Sequence, residues 1–153
     1  MNLPFYIVMV YGLPQDLSKA NELWRKAADL GCAGACLSLG ISYRNGRGVE
    51  MDKKKAKHYY ELAAMNGSVK ARYNVGCIEG KAGNNHRAKK HFILAARAGD
   101  KHSLDNVKAS FVHGIVTKDE YENTLRAYHK IHDEMKSDMR DKALAARYQI
   151  RHG

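Results

Sequence analysis

One phrase, Ala-Ala-x-x-Gly, occurs three times: Ala27-Ala28 to Gly31, Ala63-Ala64 to Gly67 and Ala95-Ala96 to Gly99. Its glycines lie 36 and then 32 residues apart. A basic residue followed by alanine precedes each copy at the same offset: Lys19-Ala20, Lys55-Ala56 and Arg87-Ala88. Recurrence at this period marks stacked helical hairpins, each burying its apolar face only against its neighbours. Such arrays present extended surfaces rather than enclosed catalytic pockets, so the chain reads first as a docking scaffold.

The middle unit is the most complete. It runs Ala35-x-x-x-Leu39-Gly40-x-x-Tyr43-x-x-Gly46-x-Gly48-Val49-x-x-Asp52-x-x-Lys55-Ala56-x-x-Tyr59-Tyr60-x-x-Ala63-Ala64-x-x-Gly67. This pattern predicts a helix A over 33–45 and a helix B over 53–66, with Gly46 to Glu50 reversing the chain. Asp52 is placed to cap helix B, and Asp16 and Asn84 hold the matching positions. Gly31, Gly67 and Gly99 sit where a left-handed residue ends a helix, and Ser68 and Asp100 follow as caps for the next. The only prolines are Pro4 and Pro14, so no proline interrupts a helix beyond residue 15.

The flanking units are less regular. The first lacks a recognisable helix A, keeps its turn as Gly12 to Asp16, and places helix B over 17–30. The third shortens its A–B turn to Lys81 to Asn84. A fourth sets Ser103, Val107, Phe111 and Gly114 in the helix A pattern, and Thr117-Lys118-Asp119-Glu120 reads as a capping box for a helix through about His132. A separate final helix is expected over Ser137 to Gln149. The expected organisation is therefore an atypical segment 1–11, an array over 12–132 in units 12–31, 32–67, 68–99 and 100–132, and a capping helix over 137–150.

The middle unit closely resembles the Sel-one-like repeat, a relative of the tetratricopeptide repeat, and the flanking units meet about half of its positions. The tail Thr117 to Lys142 is similar to that of family members from diatoms and related algae. The resemblance implies an all-α, right-handed superhelical solenoid of antiparallel helix pairs. It also implies an adaptor role in protein complexes, without catalysis or a cofactor. Some bacterial relatives with disulfide-rich repeats are described as penicillin-binding or hydrolytic, but their paired cysteines are absent here. In related repeats helix A lines the concave face. Ala35, Leu39 and Tyr43 fall on the core side of that helix, whereas Leu37, Ile41 and Arg44 point roughly the other way. Tyr73 and Cys77 correspond in the third unit and Asp105 in the fourth. With Lys70 they form a candidate partner-binding strip: Leu37, Ile41 and Tyr73 as anchors, Arg44, Lys70 and Asp105 orienting polar groups. Packing of Leu37, Ile41 and Tyr73 against adjacent helices is the plainer alternative.

Charge opens a second reading. The net charge is +10, and ten of the 26 lysines and arginines lie between Lys53 and Lys90, opposed there only by Glu61 and Glu79. Lys54, Lys57 and His58 recur 32 residues later as His86, Lys89 and Lys90. This outer ladder suits a polyanion, with steep salt dependence, or simply meets water. No nucleic-acid-reading motif accompanies it, so an acidic protein partner is preferred to nucleic acid.

The motifs of catalysis are missing. Gly46-Arg47-Gly48 lacks the third glycine and preceding strand of a nucleotide loop, and no zinc-protease helix or nucleophile elbow occurs. His129 and His132 do not make a metal site by themselves. Three cysteines without motif spacing, Cys32, Cys36 and Cys77, point to a reducing, intracellular compartment such as the cytoplasm. The apolar start, Leu3 to Val10, is too short to span a bilayer.

Overall fold

The computed structural model describes residues 16–152. The apolar start with Phe5, Ile7, Val8 and Val10, and the turn from Gly12 to Gln15, lie outside the described residues. Within them are seven helices and no strand: α1 Leu17–Asp29, α2 Ala33–Asn45, α3 Lys53–Met65, α4 Val69–Lys81, α5 Asn85–Arg97, α6 Lys101–Val112 and α7 Lys118–His152. This is the all-α helical-repeat class that the spacing predicts. Helices A and B of the middle unit are α2 and α3, within one residue of the expected bounds. The chain divides into two compact units between Ala88 and Lys89.

In the first unit α1 packs on α2, α2 on α3 and α3 on α4. Its core holds Trp24, Leu39, Tyr60 and Val75, with alanines 35, 56, 63, 64 and 71 between them. Small residues on one helix leave room for large ones on the next, as ridge-into-groove packing requires. Gly40 is the extreme case, because a Cβ there would sit 2.6 Å from the Tyr60 ring. Gly48 has φ +70, and a Cβ there would meet Leu17 at 2.7 Å. The turn can therefore lie directly on α1. Asn21, fully buried, pins it there by donating to the carbonyls of Leu17 (2.8 Å) and Arg47 (2.9 Å).

Caps set the helix starts. The Asp52 carboxylate accepts from the Lys54 and Lys55 amides, and Ser68 Oγ accepts from the Ala71 amide. Asp16 makes no such bond: its backbone has ψ near 2° rather than the extended value that aims a capping side chain inward. Asn84 donates its side-chain amide to Glu79 at 2.7 Å.

In the second unit Phe92, Ala95, Ala96, Val107, Val116 and Thr124 are buried. Asp100 caps α6 by accepting from the Ser103 amide at 2.7 Å. The capping box forms as expected: Thr117 N–H donates to Glu120 Oε2 at 2.8 Å, and Glu120 N–H to Thr117 Oγ1 at 3.2 Å. Phe111 stacks on Tyr121 with centroids 4.9 Å apart. The expected break between His132 and Ser137 is absent. Lys118–His152 is one helix of 35 residues, about 52 Å long at 1.5 Å per residue. No glycine or proline lies between them to stop it, and Glu, Met, Lys and Ala are good helix formers. From residue 138 onward every described residue is exposed.

Candidate functional site

On α2, Leu37 and Ile41 lie at the margin of the core face. Ala35, Leu39 and Tyr43 are buried, while Leu37 and Ile41 are half-buried and pack partly against the same core cluster. Each thus lends part of its surface to the core and leaves part to solvent. Arg44, at the C-terminal end of α2, is exposed. On α4, Tyr73 and Cys77 lie one turn apart and are half-buried, and Lys70 is exposed in the first turn. Asp105 belongs to α6 in the second unit, is exposed, and pairs with Lys101 at 3.9 Å. Six of the seven strip residues therefore fall within the first unit, on its two A helices.

The basic ladder is partly committed to holding the fold. Lys57 on α3 reaches Glu79 on α4 at 2.7 Å and Glu61 at 3.8 Å. Glu79 is buried, and the hydrogen bond from Lys57, then that from Asn84, hold its carboxyl below the usual glutamate range against the opposing effect of burial. Thirty-two residues later Lys89 repeats the role within the second unit, meeting Glu120 at 3.1 Å and the Ile115 carbonyl at 3.2 Å. Glu120 is likewise held low, first by the Thr117 amide and then by Lys89. Arg72 donates to the Ala64 carbonyl at the end of α3. The remaining ladder members, Lys54, His58, His86 and Lys90, are exposed.

Sequence reasoning passed over one cluster. Arg25 on α1 donates to the Tyr43 hydroxyl at 3.2 Å, and Lys55 Nζ on α3 stands 5.3 Å from the Tyr43 ring centre. Tyr43 also stacks in parallel on Tyr59, centroids 5.6 Å apart. Arg25, Tyr43 and Lys55, with Val49 to Asp52 of the turn, line a hollow of about 400 Å³. In the sequence Tyr43 and Lys55 are repeat positions, and nothing in a linear pattern brings Arg25 of the preceding repeat to them. No group of three or more metal-ligating side chains occurs among the described residues. No described helix is long and apolar enough to cross a membrane.

Comparison with known proteins supplies the context. The Sel1 repeat model matches residues 10–32, 33–68 and 69–100. A crystal structure of a Sel1 repeat protein from Oxalobacter formigenes superposes with a TM-score of 0.66 at 20% identity, covering 82% of this chain and 54% of that one. A protective antigen of uropathogenic Escherichia coli strains, displaying an SLR fold, gives 0.67 at 22% identity, covering 85% and 32%. Among curated proteins, an uncharacterized protein of Neisseria meningitidis is 38% identical over 61 residues, which is 40% of this chain. The ERAD-associated E3 ubiquitin-protein ligase component HRD3B of Arabidopsis thaliana is 32% identical over 96 residues, 58% of this chain. The matched regions span 13% and 16% of those two relatives.

Proposed function

The chain belongs to the Sel1 repeat family, and from that premise we propose that it is a non-catalytic adaptor holding a peptide or helix of another protein on the A helices of its first unit. Sel1 repeats generally serve protein–protein interaction and typically act as scaffolds. One relative is a component of a ubiquitin ligase, which agrees with a role in assembly. The observation that carries the reading is the split of α2 into a buried face and a half-exposed apolar one. Leu37 and Ile41 keep part of their surface in solvent, flanked by the exposed Arg44. Half-exposed apolar residues bordered by charge are what anchoring contacts look like before a partner arrives. Tyr73 and Cys77 extend this surface on α4, and Lys70 supplies a charge at its rim. An intracellular setting accompanies the proposal.

Selection of a displayed peptide library on the immobilised protein tests this directly. Enriched peptides should slow amide exchange in α2 and α4, and the double variant L37D/I41D, with its helical circular dichroism intact, should lose them. Enriched peptides that bind L37D/I41D as well as the wild type would refute the assignment.

The polyanion reading has less support. Two of its six members, Lys57 and Lys89, already face carboxylates within about 3 Å, and a cation so engaged has little charge left for a phosphate backbone.

A further inference from the structure

We propose that the hollow between Arg25 and Lys55 is a carboxylate-binding subsite, which receives a Glu or Asp side chain or a C-terminal carboxylate of an acidic peptide. It uses residues other than the A-helix strip, so either assignment can fail without the other.

Three donors converge there. Arg25 spends one N–H on the Tyr43 hydroxyl and retains the rest of its planar fork, which matches a carboxylate edge. Tyr43 is 7% exposed. Its oxygen accepts from Arg25, which leaves its own O–H free to donate. Lys55 stands over the same ring. Among the described residues neither Arg25 nor Lys55 forms an ion pair. Lys57 and Lys89, by contrast, are satisfied by Glu79 and Glu120. Arg25 and Lys55 instead stand beside an open space.

The space suits a small group. About 400 Å³ lies at the low end of ligand pockets, which run from about 300 to 1,000 Å³. Val49 and Met51 offer apolar surface to a methylene stem. The acidic lining selects the charge of the ligand. Asp52 is engaged in capping α3, but Glu50 is exposed and unpaired among the described residues. Two cations against two carboxylates leave the lining close to neutral, so the directed donors rather than net charge hold the ligand, and a carboxylate monoanion is favoured over a phosphate dianion.

Fluorescence anisotropy at low salt tests the subsite with dye-labelled seven-residue peptides. The first carries three consecutive glutamates and an amidated C-terminus. A second replaces glutamate with glutamine, a third has no glutamate but a free C-terminal carboxylate, and a fourth carries phosphoserine. The glutamate or the free-carboxylate peptide should bind and the glutamine peptide should not; which of the two binds tells side chain from chain end. Arg25→Gln should weaken binding about tenfold or more, in the range of a lost charge-assisted contact. Lys55→Gln, at an exposed position, should weaken it several-fold. Lys54→Gln, one residue away and outside the hollow, should change it less than twofold. Equal loss in Lys54→Gln and Lys55→Gln, equal binding of the glutamine peptide, or tighter binding of the phosphoserine peptide would overturn the proposal.

Discussion

At the scale of single residues, the same side-chain type does different work according to what the backbone gives it. Asp52 and Asp16 hold equivalent places in the repeat, yet only Asp52 caps its helix. Lys57 looks in the sequence like one more cation of a basic run, but it neutralises a buried carboxylate on the next helix. Glu79→Gln leaves that ammonium with Glu61 alone. Removing one partner of a buried pair costs about 3–5 kcal/mol, and the partial exposure of Lys57 reduces this to about 1–2 kcal/mol. Urea denaturation at neutral pH measures it. The effect carries a pH signature. Because the folded Glu79 carboxyl titrates below its unfolded value of about 4.3, its contribution is complete above that value and is lost as pH falls through the folded one. The stability gap between wild type and Glu79→Gln should therefore shrink below about pH 4.3. A gap that widened on acidification would reverse the sign.

At the scale of elements, the helices most legible in the sequence are those whose starts and ends carry their own chemistry. The Gly46 and Gly48 turn, the Asp52 and Ser68 caps and the Thr117/Glu120 box fix α2, α3, α4 and the beginning of α7 from local residues alone. What was not legible depends on contacts between units. Asn21 reads as an ordinary helix residue until the turn carrying Arg47 lies against it. Arg25 becomes part of a site only beside Tyr43 of the following repeat. The seam expected in α7 had no stop signal behind it, only the assumption that a repeat ends where its pattern does. That helix divides by support instead. Thr124 is buried and Tyr121 stacks on Phe111, whereas residues 138–152 are exposed on all sides. Isolated helix of this length is marginal in water. Amides beyond residue 138 should therefore exchange orders of magnitude faster than those of Tyr121 to Tyr128. Uniform protection along α7 in hydrogen exchange would mean that something covers its far end.

At the scale of the molecule, the regular positions build the framework and the departures from regularity carry the proposed peptide anchoring, while Tyr43 and Lys55 are regular positions that also line the hollow beside Arg25. The alanines of the recurring phrase are largely buried, with Ala63, Ala64, Ala95 and Ala96 all in the core; they give stacking but no specificity. The half-exposed Leu37 and Ile41 are not among those framework positions. The basic excess is in part internal, since Lys57, Lys89 and Arg72 are engaged within the fold. The most direct test is quantitative capture from a lysate of the source with three baits: wild type, L37D/I41D, and a ladder variant carrying K54Q, H58Q, H86Q and K90Q. All three must first show matching helical circular dichroism. The account predicts that proteins retained by the wild type are lost from L37D/I41D and kept by the ladder variant. Retention by L37D/I41D together with loss from the ladder variant would contradict it and place recognition on the charged helix B faces.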